Sequence, residues 1–201
     1  MYSVLKDTLT PSIENQKIDW SKIDITKQIE RYGIYAPNTL MLRGIVDERV
    51  SRSPVGLYGG NLPNAVSELV HDCLFSSGSM HLPRKQHQLC DQLFFINDWY
   101  ESVYAGARTK NILSPNVNAQ QKVLRFKDKY MDDKRNTITA YDANEGALYA
   151  LFLACLLFHP ASPDVFAVDN VDYGLNPRVA RKVAHIFSEY AKLTEKTIML
   201  T

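Results

Sequence analysis

The chain has 201 residues, of which 45% are hydrophobic and 22% charged, so it has enough apolar material for the core of one large or two small domains. A formal net charge of +1 argues neither for nor against nucleic-acid binding, no apolar run is long enough to span a membrane, and no signal-peptide pattern opens the chain. Because the three cysteines, Cys73, Cys90 and Cys155, form no paired framework, we expect a protein of the reducing cytoplasm.

The first half of the chain predicts strand-like pieces followed by two helices. Tyr32–Leu42 is a polar, strand-like segment. Apolar spacing then predicts helices over Leu62–Ser76 and Arg84–Tyr104, and the glycine and proline between them interrupt the helical pattern. The polar segment Ser114–Gln120 has the composition of a linker, so we expect a change of structural unit there.

The sequence after this linker predicts a β-hairpin. Lys122–Tyr130 and Asn136–Ala143 have the composition of two strands joined across Met131–Lys134. Basic side chains alternate along the first strand, which is typical of a solvated face and leaves open one contact with a DNA backbone. These side chains are Lys122, Arg125, Lys127 and Lys129.

Two clusters contain residue types that can bind zinc or stack on bases, but the pattern of each cluster indicates a different role. One cluster consists of His71, Cys73, His87 and Cys90. Its intervals do not match the usual zinc-binding pairs, and its cysteines fall at apolar helix positions, so we interpret them as core residues. The other cluster consists of Phe94, Phe95, Trp99, Tyr100 and Tyr104. Its helical spacing indicates a core or a partner surface rather than a platform for stacking bases.

A segment in the second half of the chain predicts a buried helix that begins with polar residues. Asp142 or Asn144 caps a helix over Glu145–Phe158, which ends before a proline and is apolar on nearly every face. Asn144 and Gly146 at its start would let a phosphate approach free backbone N–H groups at the positive end of the helix dipole. The alternative is an ordinary helix cap.

The next segment predicts a parallel strand that ends on a carboxylate. Asp164–Val168 is an apolar run without polar alternation, which is typical of a strand covered on both faces. Asp169 would then lie at the carboxyl end of the strand, where open α/β sheets bind ligands and where a carboxylate can hold a hydrated Mg²⁺. Asn176 and Pro177 have the types expected at an N-cap and a first helical residue. The alternative is a solvated aspartate in an ordinary turn.

The order of these segments resembles the C-terminal half of an ABC-type ATPase head of the RecF, SMC and OLD kind, the AAA-type ATPases of bacterial defence and DNA repair. In that family a Ser-x-Gly signature opens a buried helix, and a Walker B strand, a D-loop and a strand leading to a switch histidine follow. The matching segments here are Asn144-Glu145-Gly146, Val165–Asp169, Leu175-Asn176-Pro177 and Thr197–Thr201. The resemblance implies an α/β fold like that of P-loop NTPases, with residues 1–119 as the end of an N-terminal lobe plus a helical subdomain and residues 120–201 as the C-terminal lobe.

The chain departs from the family pattern in four places. It contains no G-x-x-x-x-G-K-[ST] phosphate-binding motif. Asn170 replaces the glutamate that acts on the attacking water, and an amide is not a base; Asp172 is the nearest carboxylate. Asn144 replaces the signature serine, although its amide can still donate to a phosphate oxygen. The sequence stops at Thr201, where the switch histidine would be expected, so we interpret the chain as an incomplete ATPase.

The resemblance implies ATP and Mg²⁺ as cofactors and two heads that hold ATP between them. Asp169 would order Mg²⁺, the Asn144-Glu145-Gly146 start would face the γ-phosphate across the interface, and Asn176 would belong to the D-loop that contacts the partner head. It further implies antiphage defence or DNA repair, as in Septu-type ATPases, with a separate nuclease as effector and DNA as a further partner. The alternative is a catalytically inactive interaction module that retains the ATPase-head fold.

Overall fold

In the computed structural model, residues 32–49, 52–71, 82–107 and 122–201 of the chain are described. The helices of these residues are α1 (Thr39–Leu42), α2 (Leu62–Leu69), α3 (Arg84–Phe94), α4 (Glu145–Phe158) and α5 (Pro177–Leu193). The strands are β1 (Gly33–Tyr35), β2 (Tyr100–Ala107), β3 (Lys122–Asp128), β4 (Thr137–Thr139), β5 (Val165–Val168) and β6 (Thr197–Leu200). They form a parallel sheet in the order β1-β5-β6 and an antiparallel sheet in the order β2-β3-β4, so the fold is a mixed α/β fold.

Helix α4 lies at the centre of the hydrophobic core. Every residue from Gly146 to Phe158 is buried, as its apolar composition on nearly all sides predicts. The helix packs against α1, α2 and α3, and its Phe152 ring contacts the Tyr35 ring of the parallel sheet with the ring centroids 6.4 Å apart. The same core cluster contains residues from before and after residue 119, so the two halves of the chain pack together around α4.

The parallel sheet is covered by helices on one face. Tyr35, Phe166 and Val168 are fully buried on the face that packs against α4, and α5 contacts β6 and α3. On the opposite face the register aligns Ile34, Ala167 and Met199. Ile34 is 57% exposed and Met199 44% exposed. Strand β6 has a neighbour on one side only within the described part of the chain, so its outer edge is open there.

The antiparallel sheet confirms the predicted hairpin. Strands β3 and β4 pair with Arg125 opposite Thr139. Asp128 at the end of β3 and Asp132 in the connecting turn accept backbone N–H groups. The basic side chains of β3 are not all solvated. Lys127 forms an ion pair with Glu101 at 3.1 Å, and the half-buried Arg125 guanidinium donates to the carbonyl of Ala107.

The helix predicted over Arg84–Tyr104 is wrong beyond Phe94. The chain turns there and continues as strand β2, which pairs along its length with β3. The segment that follows the turn is rich in aromatic residues and valine, and such residues favour a pleated, half-buried surface. The core interpretation of the aromatic cluster is confirmed for Phe94 and Tyr100, which are both buried. Phe94 reaches the core from a helix end and Tyr100 from a strand, whereas Phe95 and Tyr104 are exposed.

Other predictions are confirmed in part. The segment Tyr32–Leu42, predicted as strand-like, contains β1 and also the short helix α1. The helix predicted over Leu62–Ser76 is observed as α2, and the positions of this prediction from 72 onward lie outside the described residues. The linker Ser114–Gln120 and Cys73 also lie outside them. Cys90 is buried in the core, as predicted. No helix in the described ranges is long and apolar enough to cross a membrane.

Candidate functional site

Asp169 follows the central strand of the parallel sheet directly. Its backbone N–H donates to the carbonyl of Tyr35 at 2.8 Å, so the sheet pairing continues one residue beyond β5. Its side chain is half-buried. The structure therefore places this carboxylate at the carboxyl edge of the parallel sheet, the edge at which open α/β sheets bind ligands.

Thr201, which follows β6, fixes the Asp169 carboxylate. The Thr201 hydroxyl donates to Asp169 Oδ1 at 2.7 Å and accepts the N–H of Asn170 at 3.0 Å. The Thr201 carbonyl accepts the N–H of Val171 at 3.1 Å. Asn170 has a φ of 52°, in the left-handed region that asparagine tolerates better than most residues with a side chain. The end of β6 thus sets both the direction of the carboxylate and the path of the chain after it.

The segment from 170 to 176, here called the β5–α5 loop, contains two tight turns. The N–H of Tyr173 donates to the carbonyl of Asn170, and the N–H of Leu175 donates to the carbonyl of Asp172, both at 3.0 Å. Gly174 supplies the positive φ of 72° that the second turn requires. Asn170 and Asp172 are exposed, so the loop presents an amide and a carboxylate to solvent.

The β5–α5 loop packs closely against the first turn of α4. Gly146 is buried there, and a Cβ added to it would lie 2.9 Å from the carbonyl oxygen of Gly174. The rings of Tyr149 and Tyr173 lie beside this contact with their centroids 5.6 Å apart. Packing within the chain therefore explains the glycine at position 146, because the absence of a side chain lets the loop approach the helix. The contact also brings together the two segments that resemble the signature motif and the D-loop.

The polar groups at the start of α4 have partners within the chain. Asn144 is exposed and is the N-cap, since its Oδ1 accepts the N–H of Ala147 at 3.3 Å. The Glu145 carboxylate accepts a hydrogen bond from the hydroxyl of Thr39. The Tyr149 hydroxyl donates to the carbonyl of Pro37 at 2.7 Å. Burial, with the nearby charge of Glu145, raises the pKa of Tyr149 above its usual value, so this hydroxyl stays protonated at neutral pH.

Asn176 caps helix α5, as predicted. Its Oδ1 accepts the N–H groups of Arg178 at 3.1 Å and Val179 at 2.9 Å, and Pro177 is the first helical residue. The Arg178 side chain is exposed and forms no ion pair with any residue that the structure describes. The first turn of α5 therefore presents a positive charge beside the β5–α5 loop.

The predicted site residues form two contact groups. Asp169 and Asn170 share the hydroxyl of Thr201, whereas Gly146 contacts the β5–α5 loop. Within the described ranges there is no group of three or more His, Cys, Asp or Glu side chains that could hold a metal ion. Asp169 is thus the single carboxylate of its contact group, and one member of the His/Cys cluster noted above, Cys73, lies outside the described residues.

Two contacts of the site were not predicted from the sequence. The contact between Thr201 and Asp169 could have been inferred, because Thr201 follows the last predicted strand and the carboxyl ends of parallel strands meet at one edge of the sheet. The contact between Thr39 and Glu145 joins residues separated by 106 positions, and no local pattern indicates it.

Comparison of the chain with models of protein families, with curated proteins and with solved structures gives no match. The residues and contacts described above are therefore the basis for a functional proposal.

Proposed function

We propose that this chain is an ATP-binding head segment of an ABC-type ATPase of the RecF, SMC and OLD kind. The observation that carries the proposal is the contact between the β5–α5 loop and the first turn of α4, with Asp169 at the start of that loop. The loop joins a carboxylate at the carboxyl edge of a parallel sheet to a helix with an Asn-Pro start, and it packs against a second helix with an asparagine cap. Each of these features suits the binding of a Mg²⁺-nucleotide.

The proposal gives each site residue a role at the nucleotide. Asp169 orders Mg²⁺ with one carboxylate oxygen, while Thr201 holds the other in a fixed direction. Asn144 lies at the positive end of the α4 dipole, where its exposed amide meets a phosphate oxygen held by a partner head. Glu145 and Gly146 keep this helix start in place, Glu145 through its hydrogen bond from Thr39 and Gly146 through its packing against the β5–α5 loop. Asn176 holds the D-loop-like segment against the partner.

Two residues of the β5–α5 loop bear on hydrolysis. Asn170 orients water but is not a base, so Asp172, exposed in the same loop, is the nearest carboxylate available for that role. A head that joins these residues to a phosphate-binding lobe would bind nucleotide more readily than it hydrolyses it. We therefore propose ATP-dependent association of two heads as the primary activity.

The resemblance favours antiphage defence or DNA repair, with a nuclease as effector and DNA as a further partner. The cysteine usage favours a reducing cytoplasm. The coding sequence on either side of these 201 residues would identify a phosphate-binding lobe or an effector directly.

The test is ATP-driven association of the protein that joins this chain to a phosphate-binding lobe. Asn144→Asp keeps an equally good N-cap but places a negative charge where a phosphate oxygen would lie. We expect light scattering to show ATP-dependent dimers of the wild type and of Asn144→Ser, which restores the family's signature residue, and to show none of Asn144→Asp. A substitution of Gly146 is unsuitable, because its Cβ would press on the carbonyl of Gly174.

Two results would contradict the proposal. Equal ATP-driven association of the wild type and Asn144→Asp would return this helix start to the role of an ordinary cap. Association that is independent of nucleotide in all three proteins would favour the alternative, an interaction module that retains the fold and hydrolyses nothing.

A further inference from the structure

A cluster of backbone N–H groups lies on the segment from Gly56 to Asn61, here called the glycine loop. This loop contains Gly56, Gly59 and Gly60 and leads directly into α2. Gly56 and Gly59 have φ values of 79° and 98°, which residues with a side chain rarely adopt. The loop therefore has a backbone shape that depends on glycine.

The N–H groups of the glycine loop converge on one carboxylate, that of Glu48. Leu57 donates to Glu48 Oε1 at 2.6 Å, and Gly60 donates to Oε2 at 2.9 Å. Tyr58 adds a longer contact with Oε1 at 3.3 Å. Backbone N–H groups that converge in this way form an anion-binding concavity of the kind found in phosphate-binding loops. Here the anion in the concavity belongs to the same chain.

The missing side chains of the loop provide the space for this carboxylate. A Cβ on Gly56 would lie 2.1 Å from Glu48 Oε2, and a Cβ on Gly60 would lie 2.4 Å from Glu48 Cβ. Real Cβ atoms do not approach other atoms so closely. The glycines are therefore required by the bound carboxylate group as well as by the turn.

The frame of the glycine loop is held by contacts that do not involve Glu48. The carbonyls of Leu57 and Tyr58 accept the N–H groups of Ala36 and Asn38, both at 2.9 Å, so the loop continues the edge of the parallel sheet beyond β1. Gly59 lies against the buried side chains of Leu42 and Phe152. The Asn61 side chain donates to the carbonyl of Pro54 at 2.6 Å. These contacts would keep the concavity formed without its carboxylate.

We propose that the glycine loop is a preformed binding site for a small oxyanion, a carboxylate or a phosphate, and that Glu48 is its internal ligand. In this structure the Glu48 side chain fills the site. The site is independent of the function proposed for Asp169 and α4, because it uses different residues and binds the anion through backbone N–H groups.

The test is rescue of Glu48→Ala by free anions in the whole chain. The probes are sodium acetate and inorganic phosphate, each compared with sodium chloride at equal ionic strength. We expect acetate or phosphate to raise the Tm of Glu48→Ala by about 2–4 °C and to shift the amide resonances of Leu57, Tyr58 and Gly60 in a saturable manner. A response to acetate alone identifies a site of carboxylate size, whereas a response to phosphate identifies a phosphate site.

Two variants serve as controls. Glu48→Gln keeps the volume of the side chain but turns one of the two acceptor oxygens into an N–H₂ donor that faces a backbone N–H group, so it should be less stable than the wild type and should respond to either anion less than Glu48→Ala does. Asp47→Ala removes the exposed neighbouring carboxylate and should behave like the wild type.

Three results would overturn the proposal. The first is a Glu48→Ala protein that folds but responds to acetate and phosphate no more than to chloride. The second is an equal response of Asp47→Ala, which would indicate a general salt effect. The third is a Glu48→Ala protein that does not fold in any of the three salts although Glu48→Gln folds, because a free anion should restore what the truncation removes.

Discussion

Single hydroxyl and amide groups determine the geometry at the carboxyl edge of the parallel sheet. The Thr201 hydroxyl both donates to Asp169 and accepts from Asn170, so one side chain connects the ends of β5 and β6. Asn170 turns the chain in a left-handed conformation that few other residues adopt without strain. The position of the Asp169 carboxylate is therefore a property of three residues and not of the aspartate alone.

Thr201→Val should weaken this arrangement without changing the shape of the side chain. It removes the hydroxyl and leaves Asp169 Oδ1 and the Asn170 N–H without their partner, so we expect the free energy of unfolding to fall by about 1 kcal/mol. Thr201→Ser keeps the hydroxyl, so its free energy of unfolding should fall by less. Urea unfolding of the three proteins measures the difference. Equal unfolding midpoints for Thr201→Val and Thr201→Ser would mean that water replaces both hydrogen bonds of the hydroxyl without loss of stability.

At the scale of elements, the first turn of α4 and the β5–α5 loop form one packed unit. The carbonyl of Gly174 lies where a side chain of Gly146 would be, and the ring of Tyr173 lies beside that of Tyr149. Helix α4 is buried from Gly146 onward and cannot shift to relieve a clash at its first turn. A clash at this contact would thus have to be relieved by a movement of the loop.

Gly146→Ala should therefore destabilise the protein, although alanine is the better helix former by about 1 kcal/mol. The added Cβ would lie 2.9 Å from the Gly174 carbonyl oxygen, a backbone atom that can give way only if the loop itself moves. We expect a net loss of about 1–3 kcal/mol, as for overpacking elsewhere in protein cores. Thermal or urea unfolding is the measurement. A more stable variant would show that the loop moves away readily.

The elements that the sequence predicts well are those with strong local signals. Helix α4 has the predicted bounds because an apolar run lies between an asparagine cap and a proline, and α5 begins at the predicted Asn-Pro pair. The end of α3 was missed because apolar and aromatic residues continue through the turn into β2, where pairing with β3 decides the structure. The site was predicted as separate segments. The contact of Gly146 with Gly174 depends on tertiary packing, which no local pattern encodes.

At the scale of the whole molecule, the described residues form one core around α4, with a parallel sheet on one side and an antiparallel sheet formed by β2, β3 and β4. The candidate site lies at the carboxyl edge of the parallel sheet. The polar groups found at this edge are few: one carboxylate held by a threonine, and exposed side chains on one loop. These polar groups are too few to bind a triphosphate without further residues.

The 201-residue chain alone should accordingly show no ATP hydrolysis and little affinity for ATP. It contains no phosphate-binding motif of the P-loop type, so Mg²⁺ bound through Asp169 would leave most of the triphosphate in water. Phosphate release and equilibrium dialysis with labelled ATP are the measurements. Turnover by the wild type that disappears in Asp169→Ala would contradict this prediction, because the chain would then contain a complete catalytic site.

The exposed side of the parallel sheet affects how the protein behaves in solution. Parallel sheets are normally covered on both faces, yet here Ile34 and Met199 are exposed on one face and β6 has an open outer edge in the described part of the chain. An open, partly apolar strand edge is a template on which another extended segment can add. In concentrated samples this edge is the part of the molecule at which we expect strand-to-strand aggregation to begin.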